Sequence, residues 1–442
     1  MPVADNAATP AAVTTDLVRI SGITHNFAKD GGKALPVLEN ISLTVADGEI
    51  VSLLGRSGSG KSTLLRIICG LLKPTRGEVL LDGQRVNGPA DGVAMVFQTF
   101  ALMPWLTVLE NVEFGLEAQG VSRGERRKRA LGAIDLIGLD GFESAYPKEL
   151  SGGMRQRVGL ARALVMHSKL LLMDEAFSAL DVLTAETLRT DLIDLWSEGR
   201  LPIRSILMVT HNIEEAVLMS DRILLMSSSP GRIAAEIKVD MPHPRSRWDP
   251  VFRALVDDIY TRMTARSAAA AKPGVFPGTG IGMVLPRVSS NALSGLIEAL
   301  LAPPFNGRAD LPVLAEALHM AGDDLLKLAE VLQLLRFAEL AEGDVRLTEA
   351  GRRYADLDVD ARKALFRHHL IMHVPIVAHI KRVLDERSTH SAPMLRFKHE
   401  LEDYMADYDA ETTLRAVVSL ARYAEVFAYD EHSGAFNLEN PA

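Results

Sequence analysis

The sequence predicts an α/β domain with a parallel sheet, followed by a mostly helical domain. Between Leu17 and about Arg266, short apolar runs alternate with helical periodicity, which is typical of parallel strands buried between helices. After Arg287, apolar residues recur mainly at helical spacing. The stretch between the two patterns is rich in Ala, Gly and Pro, which indicates a linker. We expect a disordered tail at 1–16, the first domain at 17–265, a linker at 266–285 and the helical domain at 286–440.

Length and composition exclude several classes of protein. The 442 residues are 48% hydrophobic and 24% charged, which excludes a wholly disordered or collagen-like chain. A net charge of −9 argues against a protein whose main task is to bind nucleic-acid backbones. With Cys69 as its one cysteine, the chain has no internal disulfide and no multi-cysteine zinc site, so a reducing compartment fits. The start does not resemble a secretory signal and no apolar run spans a bilayer, so we expect peripheral membrane association at most.

Three apolar runs are predicted to end at one edge of the sheet. They read EIVSLLG, KLLLMDE and SILMVTH. Ligands of open parallel sheets gather at the carboxyl ends of the strands. We therefore expect Gly55, Asp174, Glu175 and His211 to lie near one another.

The first run leads directly into a glycine-rich loop. Residues 55–62, GRSGSGKS, satisfy the pattern GxxxxGKS between a strand and the helix predicted for KSTLLRIICGLL. Small residues let successive amides point at phosphate oxygens, and the helix N-terminus adds partial positive charge. Lys61 is expected to reach the β- and γ-phosphates of a nucleotide, and Ser62 to offer its hydroxyl to Mg²⁺.

The second run supplies adjacent carboxylates. Asp174 would hold Mg²⁺, directly or through water, and Glu175 would polarise a water for attack on the γ-phosphate. Adjacent carboxylates at a strand end are common by themselves. Together with the glycine-rich loop, this pair indicates a nucleotide-hydrolysing site.

A second helix N-terminus also favours an anion. Residues 150–154, LSGGM, precede the amphipathic run RQRVGLARALV, which places the Ser151 hydroxyl and the amides of Gly152 and Gly153 at the start of a helix. An N-cap alone explains the serine, but it does not need two glycines, which lower helix propensity. If this clamp and the glycine-rich loop touch one nucleotide, two chains must face each other head to tail.

With these motifs, residues 17–245 resemble the nucleotide-binding subunit of an ATP-binding cassette (ABC) transporter. The family's further motifs follow in order: the Q-loop is Gln98 in MVFQ, the D-loop SALD ends at Asp181, and the H-loop is His211 in VTHNIEEA. The resemblance implies a P-loop NTPase fold, an ABC cassette with a RecA-like core, an antiparallel β-subdomain and a helical subdomain. Met154 replaces the usual Gln of the signature, DEAF replaces DEPF, and HN replaces HD; none of these removes a reacting group.

The resemblance also implies roles for individual residues. Glu175 would be the catalytic base, His211 would contact the γ-phosphate, and Gln98 would sense Mg²⁺ and the attacking water. The implied cofactors are ATP and Mg²⁺, with Mg²⁺ near Ser62, Gln98 and Asp174. The implied nucleotide-binding residues are Phe27, Gly55, Arg56, Ser57, Gly58, Ser59, Gly60, Lys61, Ser62, Thr63, Ser151, Gly152, Gly153 and Asp181.

The resemblance also implies a dimer and a position for the adenine base. The family forms an ATP-sandwich homodimer, in which Ser151 and Gly153 of one copy would contact the γ-phosphate held by Lys61 of the other. Phe27 falls where the family places an aromatic that stacks on adenine. An aromatic residue in a first strand also suits the core, so both interpretations of Phe27 stay open.

The stretch that begins at Phe97 and ends at Gly120 predicts a partner surface. Its apolar cluster comprises Phe100, Leu102, Met103, Trp105 and Leu106. In the family this region receives a coupling helix of the membrane permease, which requires an exposed apolar groove. The alternative for any one residue is the core of the helical subdomain.

The sequences of two segments indicate a particular group of importers. MPWLTVLENV and VTHNIEEAVLMSDRI resemble the nitrate, sulfonate and taurine group of bacterial importers. That resemblance implies ATP-driven uptake of a small, anionic solute through a separate permease, with a periplasmic solute-binding protein. The chain would lie on the cytoplasmic face of the bacterial inner membrane.

The helical domain resembles the ABC-associated C-terminal domain of some members of this group. Three predicted helices followed by a hairpin in AELAEGDVRLTEAGRRYA suggest a winged-helix-like unit. The alternative function is a nucleotide-regulated switch whose C-terminal domain binds a regulatory partner or nucleic acid. The third helix, DDLLKLAEVLQLL, opens with two aspartates, which argues against a DNA-reading surface, so we expect no nucleic acid.

Overall fold

The computed structural model describes residues 16–28, 34–56, 58–98, 101–178, 180–227, 230–270, 280–405 and 407–438. The strands are β1 (Asp16–Ala28), β2 (Ala34–Ala46), β3 (Ile50–Gly55), β4 (Arg76–Leu81), β5 (Gln84–Arg85), β6 (Val93–Val96), β7 (Leu170–Asp174), β8 (Ser205–Thr210), β9 (Arg222–Ser227), β10 (Arg232–Lys238), β11 (Arg308–Asp310), β12 (Ala338–Ala341), β13 (Asp344–Leu347), β14 (Ser391–Pro393), β15 (Ala428–Asp430) and β16 (Ala435–Asn437).

The helices alternate with these strands in the first part of the chain and predominate in the second. They are α1 (Lys61–Ile68), α2 (Val108–Ala118), α3 (Arg123–Leu136), α4 (Gly152–Leu164), α5 (Val182–Ser197), α6 (Ile213–Met219), α7 (Pro250–Ala270), α8 (Ser290–Leu301), α9 (Leu311–Ala317), α10 (Gly322–Leu334), α11 (Glu349–Asp356), α12 (Val359–His373), α13 (Pro375–Glu386), α14 (Met394–Glu402) and α15 (Asp407–Tyr423).

A six-stranded sheet carries the three strands that the sequence predicts to converge. Its order is β10-β9-β3-β8-β7-β6, parallel from β9 to β6, with β10 antiparallel at the edge. Every residue of β3, β7 and β8 is buried, as expected for strands covered on both faces. Because β8 lies between β3 and β7, the carboxyl ends of all three strands meet at one edge.

Two smaller units complete the cassette. A four-stranded antiparallel sheet, in the order β2-β1-β4-β5, packs its apolar side chains against β3 and α1. Helices α2, α3 and α4 pack together around a separate apolar core that includes Val112, Ile134 and Leu160. The predicted RecA-like core, antiparallel β-subdomain and helical subdomain are all present.

Helix α1 is shorter than the sequence predicts. The expected helix ran through KSTLLRIICGLL, but the structure ends it at Ile68. Gly70 has φ +75, a left-handed conformation that commonly terminates helices. The carbonyl of Gly88 also approaches Gly70 so closely that no Cβ fits there.

The C-terminal domain contains the predicted winged-helix-like unit. Helices α8, α9 and α10 precede the hairpin of β12 and β13, and β11 adds a third strand in the order β11-β13-β12. A second small sheet, ordered β14-β16-β15, and helices α13 and α14 were not predicted from the sequence. Pro375 is the first residue of α13, a position where proline is favoured because its missing N–H needs no partner.

One apolar core joins the cassette to the C-terminal domain. Helix α7 packs against α6 of the cassette on one side and against β12 on the other. The cluster contains Ile213 and Val217 of α6, Phe252 and Ile259 of α7, and most of the C-terminal core, for example Leu325.

The predicted linker at 266–285 overlaps packed elements at both of its ends. Helix α7 continues to Ala270, and Met283 and Leu285 are buried on the other side of the undescribed residues 271–279. The exact domain boundary stays a prediction. Among the residues that the structure describes, no helix combines the length and the apolar character needed to cross a membrane.

The shared core predicts that the two domains unfold together. Ile259→Ala should lower the free energy of unfolding by about 2–5 kcal/mol, because it removes buried apolar volume. Val251→Ala, at a position of the same helix that is 61% exposed, should change it by less than about 0.5 kcal/mol. Calorimetry of the full chain should show one transition that shifts as a whole in Ile259→Ala. Two transitions, of which one shifts, would contradict a continuous core.

Candidate nucleotide site

The phosphate loop follows β3 and curls around a buried lysine. The Lys61 Nζ donates hydrogen bonds to the carbonyl oxygens of Gly55, at 2.7 Å, and Arg56, at 2.9 Å. Gly58 and Gly60 have φ of +74 and +86, where residues with a Cβ are strained. A Cβ on Gly60 would lie 2.6 Å from the Leu38 Cδ2, so any other residue there would also force Leu38 to shift.

The remaining loop residues lie at the start of α1. Ser59 is fully buried, with its Oγ 3.5 Å from the Lys61 Nζ. Ser62 and Thr63 lie half-buried in the first turn of the helix, where unpaired amides and the helix dipole favour an anion. Ser57 lies outside the described residues.

A hydrogen bond connects the phosphate loop to the end of β7. The Ser62 hydroxyl donates to the Asp174 Oδ1 at 2.8 Å. Burial raises the pKa of Asp174, and the bond from Ser62 opposes that rise. A hydroxyl and a carboxylate at this spacing are oxygen donors of the kind that Mg²⁺ prefers.

Glu175 lies at the centre of a polar cluster. Its Oε2 accepts a hydrogen bond from the Gln98 Nε2 at 3.2 Å and lies 3.3 Å from the His211 Nδ1. Burial raises the pKa of Glu175, but the hydrogen bond and charge of His211, together with Lys61 and Lys327, outweigh it and hold the pKa below its ordinary value. The carboxylate is therefore ionised at neutral pH.

The backbone of Glu175 is held in an unusual conformation. Its φ is +46, in the left-handed region that non-glycine residues rarely adopt. The Glu175 amide donates to the carbonyl of Val209 on β8, and its own carbonyl accepts from the Ser178 hydroxyl at 2.8 Å. These bonds stabilise the strained turn that directs the side chain toward Gln98 and His211. Sequence reasoning missed Ser178, although it opens the SALD motif.

His211 is positioned by the helix that follows it. The Asn212 side chain accepts from the Glu215 amide at 2.7 Å and caps α6. Glu215 is buried and paired with Arg189 at 3.1 Å. Because α6 belongs to the core shared with the C-terminal domain, the position of His211 depends on that core.

The signature residues lie at the start of α4, as the sequence predicts. The Ser151 Oγ accepts from the Met154 amide at 3.3 Å, so Ser151 is an N-cap, and its side chain is exposed. A Cβ on Gly153 would lie 2.1 Å from the Thr184 Cγ2, whereas one on Gly152 would meet the Leu180 Cδ2 at an ordinary 3.8 Å. Close packing therefore accounts for the second glycine and not for the first.

Thr184 links the signature to the predicted D-loop. Its amide donates to the Asp181 Oδ1 at 3.0 Å, which makes Asp181 the N-cap of α5, and its methyl group faces Gly153. Asp181 and Ser151 thus belong to one packed corner of the cassette. Thr184 was missed because its role depends on contact between two helices.

Phe27 lies on β1 and is 40% exposed. The ring packs edge-on against His25, with centroids 4.8 Å apart. Phe27 pairs with Leu35 on β2, the strand whose Leu38 contacts the phosphate loop. This exposure suits stacking on a base, which stays a prediction.

Comparison with known proteins places the cassette in a family. Residues 38–178 match the family model described as ABC transporter. The nitrate import ATP-binding protein NrtD of Synechocystis sp. is 48% identical over 258 residues, which cover 56% of this chain and 96% of that protein. The chain belongs to the ATP-binding subunits of ABC transporters. It is an ATPase of that class.

Further similarities each cover about half of this ABC subunit. The taurine import ATP-binding protein TauB of Burkholderia pseudomallei is 47% identical over 230 residues, 52% of this chain and 87% of that protein. A solved dimeric structure of MJ0796, a bacterial ABC transporter cassette, is 36% identical, covers 51% of this chain and all of that one, and gives a TM-score of 0.46.

The second half matches a different family model. Residues 312–430 match the C-terminal AAA-associated domain. The ABC subunit therefore combines a cassette with an additional domain, as the sequence analysis expects.

The two signature glycines should differ in their tolerance of a methyl group. Gly153→Ala should destabilise the chain, because its Cβ overlaps the Thr184 methyl group and overpacking costs about 1–3 kcal/mol. Gly152→Ala is the matched control and should unfold at about the parent urea concentration. Equal urea midpoints for both variants would contradict the close contact between α4 and α5.

Proposed function

We propose that this ABC subunit hydrolyses ATP as a homodimer and thereby powers import of a small anionic solute through a separate membrane permease. The observation that carries this proposal is the position of Glu175. Its ionised carboxylate lies between Gln98 and His211, one residue beyond the Asp174 that accepts a hydrogen bond from the phosphate loop.

Phosphate binding would come from the loop between β3 and α1. The amides around Gly58 and Gly60 and the start of α1 offer donors to phosphate oxygens, and Lys61 supplies a positive charge. On nucleotide binding, Lys61 would exchange its carbonyl partners for phosphate oxygens. Phe27 would stack on the base.

Ser62, Asp174 and Gln98 are the residues that would hold Mg²⁺. The described residues contain no cluster of three His, Cys, Asp or Glu side chains suited to a metal, so phosphates and waters would complete the coordination. When bound, Mg²⁺ neutralises charge that develops on the phosphates.

The hydrolytic step assigns separate tasks to three side chains. Glu175 would accept a proton from the attacking water, for which it must be ionised. Gln98 would orient that water. His211, now 3.3 Å from Glu175, would hold the carboxylate in place and contact the γ-phosphate.

A second copy of the chain would complete each site. Ser151 is exposed at the N-terminus of a 13-residue helix, where its hydroxyl and the neighbouring amides can bind an anion. The helix supplies the second half of a phosphate site that the loop of the facing copy begins. Two copies would thus enclose two nucleotides, with Asp181 near the contact between them.

The permease would bind to exposed aromatic residues of the helical subdomain. Trp105 is 70% exposed just before α2, and Phe114 is exposed on that helix. The segment with the exposed Phe142 and Tyr146 is tied to the start of α2 by two backbone hydrogen bonds. Phe142 and Tyr146 were not predicted, whereas Leu102 packs on the internal core and Phe100 lies outside the described residues.

The solute class is supported by the relatives. Their names assign nitrate and taurine import, and both solutes carry an anionic group. The chain would act at the cytoplasmic face of the membrane, and a solute-binding protein would deliver the solute from the other side. No residue of this subunit is expected to contact the solute.

Glu175→Gln should separate ATP binding from hydrolysis. The variant keeps the shape of the side chain but cannot accept a proton, so phosphate release should fall by about 10²–10³-fold. Size-exclusion chromatography with ATP and Mg²⁺ should then show a persistent dimer. Glu198→Gln, an exposed carboxylate at the end of α5, is the matched control. Parent-level hydrolysis in Glu175→Gln, or a variant that remains monomeric, would refute the role of Glu175.

Trp105→Ala should weaken binding to the permease and leave ATP hydrolysis by the isolated chain nearly unchanged. The tagged variant should lose the multi-span membrane protein that co-purifies with the parent chain, because an exposed aromatic anchor is removed. Trp248→Ala is the matched control, since Trp248 is 76% exposed outside the helical subdomain. Phosphate release by the isolated chains should stay within about two-fold of the parent. Equal recovery of the membrane protein by both variants would rule out this surface.

A further inference from the structure

The C-terminal domain reaches the phosphate loop through an ion pair. The Arg56 Nη2 lies 2.7 Å from the Glu330 Oε1. Arg56 belongs to the loop, and Glu330 is a buried residue of α10, the third helix of the winged-helix-like unit. Burial holds the pKa of Glu330 above its ordinary value, and the charges of Arg56 and Lys327 offset only part of that rise. An acidic side chain of the C-terminal domain thus pairs with a cationic side chain of the phosphate loop.

A second carboxylate approaches the same loop from α15. A Cβ built on Gly58 would lie 3.8 Å from the Asp409 Oδ2. Asp409 lies in the first turn of α15 and is half-buried. Burial raises its pKa and the charge of Lys61 opposes that rise, so the carboxylate lies within electrostatic reach of the phosphate-binding lysine.

Carboxylates beside a phosphate loop compete with phosphate for the same anion-binding groups and also repel it. Helix N-termini and their amides bind either anion. The triphosphate of ATP carries several negative charges, and like charges repel strongly where little water separates them. A triphosphate on the same loop would therefore be repelled by Asp409 beside Gly58 and would compete with Glu330 for the charge of Arg56.

We propose that the C-terminal domain is an autoinhibitory cap, in which Glu330, paired with the Arg56 side chain, and Asp409, beside Gly58, hinder phosphate binding and must move away before nucleotide binds. This proposal rests on the proposed function only in taking the loop as the nucleotide-binding element. Beyond the proposed function, the cap gives the phosphate loop a partner within the same chain, namely α10 and α15. Opening of the cap would be a regulated step before the two cassettes close.

The two kinds of contact between the domains explain how the cap opens. At the loop, the contacts described above are made by charged groups, which water or nucleotide can satisfy after separation. At α6 and α7, the contact is apolar and includes Val217 and Phe252, so its separation would expose buried surface to water. The apolar contact at α6 and α7 therefore stays closed. At the phosphate loop, the charged groups exchange their partners for water or nucleotide. Only molecules with an open cap bind nucleotide. The apparent Kd is therefore the intrinsic Kd divided by the fraction of molecules that are open.

The test neutralises each carboxylate without changing its shape. Glu330→Gln and Asp409→Asn should each lower the Kd for a fluorescent ATP analogue with Mg²⁺ by about three- to ten-fold, and the double variant should lower it further. Glu411→Gln is the matched control, because Glu411 lies on α15 and pairs with Arg415. Circular dichroism of each variant checks folding, and Asp409→Asn leaves the Arg56–Glu330 pair intact. Unchanged affinity in both folded single variants would overturn the cap.

A second measurement reads the movement directly. In the full parent chain, ATP with Mg²⁺ should increase hydrogen–deuterium exchange in peptides of α10 and of the start of α15, and should not increase it in α7. Unchanged or decreased exchange in α10 and α15 on a chain that binds ATP would refute the cap.

Lys61→Ala separates this proposal from the proposed function. If Lys61→Ala loses nucleotide binding while the carboxylate variants bind like the parent, the loop binds nucleotide and the cap is wrong. If Lys61→Ala binds ATP as the parent does, the proposed nucleotide site itself is wrong, and the cap fails with it.

Discussion

The order of three parallel strands is the constraint on which the site depends. Because β8 lies between β3 and β7, the phosphate loop, the carboxylates and His211 are brought to one edge of a fully buried sheet. The Ser62–Asp174 bond and the contacts of Glu175 with Gln98 and His211 are consequences of that order. A different order would separate the phosphate-binding residues from the residues that act on water.

Charge is the second constraint, because the loop concentrates positive potential. Lys61 turns its ammonium group to carbonyl oxygens of its own loop, while Arg56 pairs with Glu330 of the C-terminal domain. Residues 281–442 contain 17 Lys and Arg against 25 Asp and Glu, so this domain suits a positively charged surface. The same domain shares its apolar core with α6, which directly follows His211. It can therefore influence the site by charge at the loop and by packing behind His211.

Local sequence signals predicted the elements that build the site. The glycine pattern at 55–62 predicted the strand, loop and helix, and the LSGGM segment predicted the helix that Ser151 caps. Helix periodicity and the hairpin pattern predicted the winged-helix-like unit. These features depend on a few neighbouring residues, such as a cap, a positive φ or an alternation of apolar side chains.

Features that depend on distant contacts were not predictable in this way. The end of α1 depends on the approach of Gly88 to Gly70, and Gly153 is required by Thr184 on another helix. Nothing near Arg56 in the sequence indicates Glu330 as its partner, since most of the chain separates them. Short strands such as β14 acquire their structure from pairing with β16 rather than from their own composition.

The most direct test of the account is an experimental structure of the full chain carrying Glu175→Gln, with ATP and Mg²⁺. The account predicts triphosphate on the amides of the phosphate loop, Ser151 of a second copy beside the γ-phosphate, and Glu330 separated from Arg56. Nucleotide bound elsewhere, or a loop still covered by Glu330 and Asp409 at saturating ATP, would contradict it.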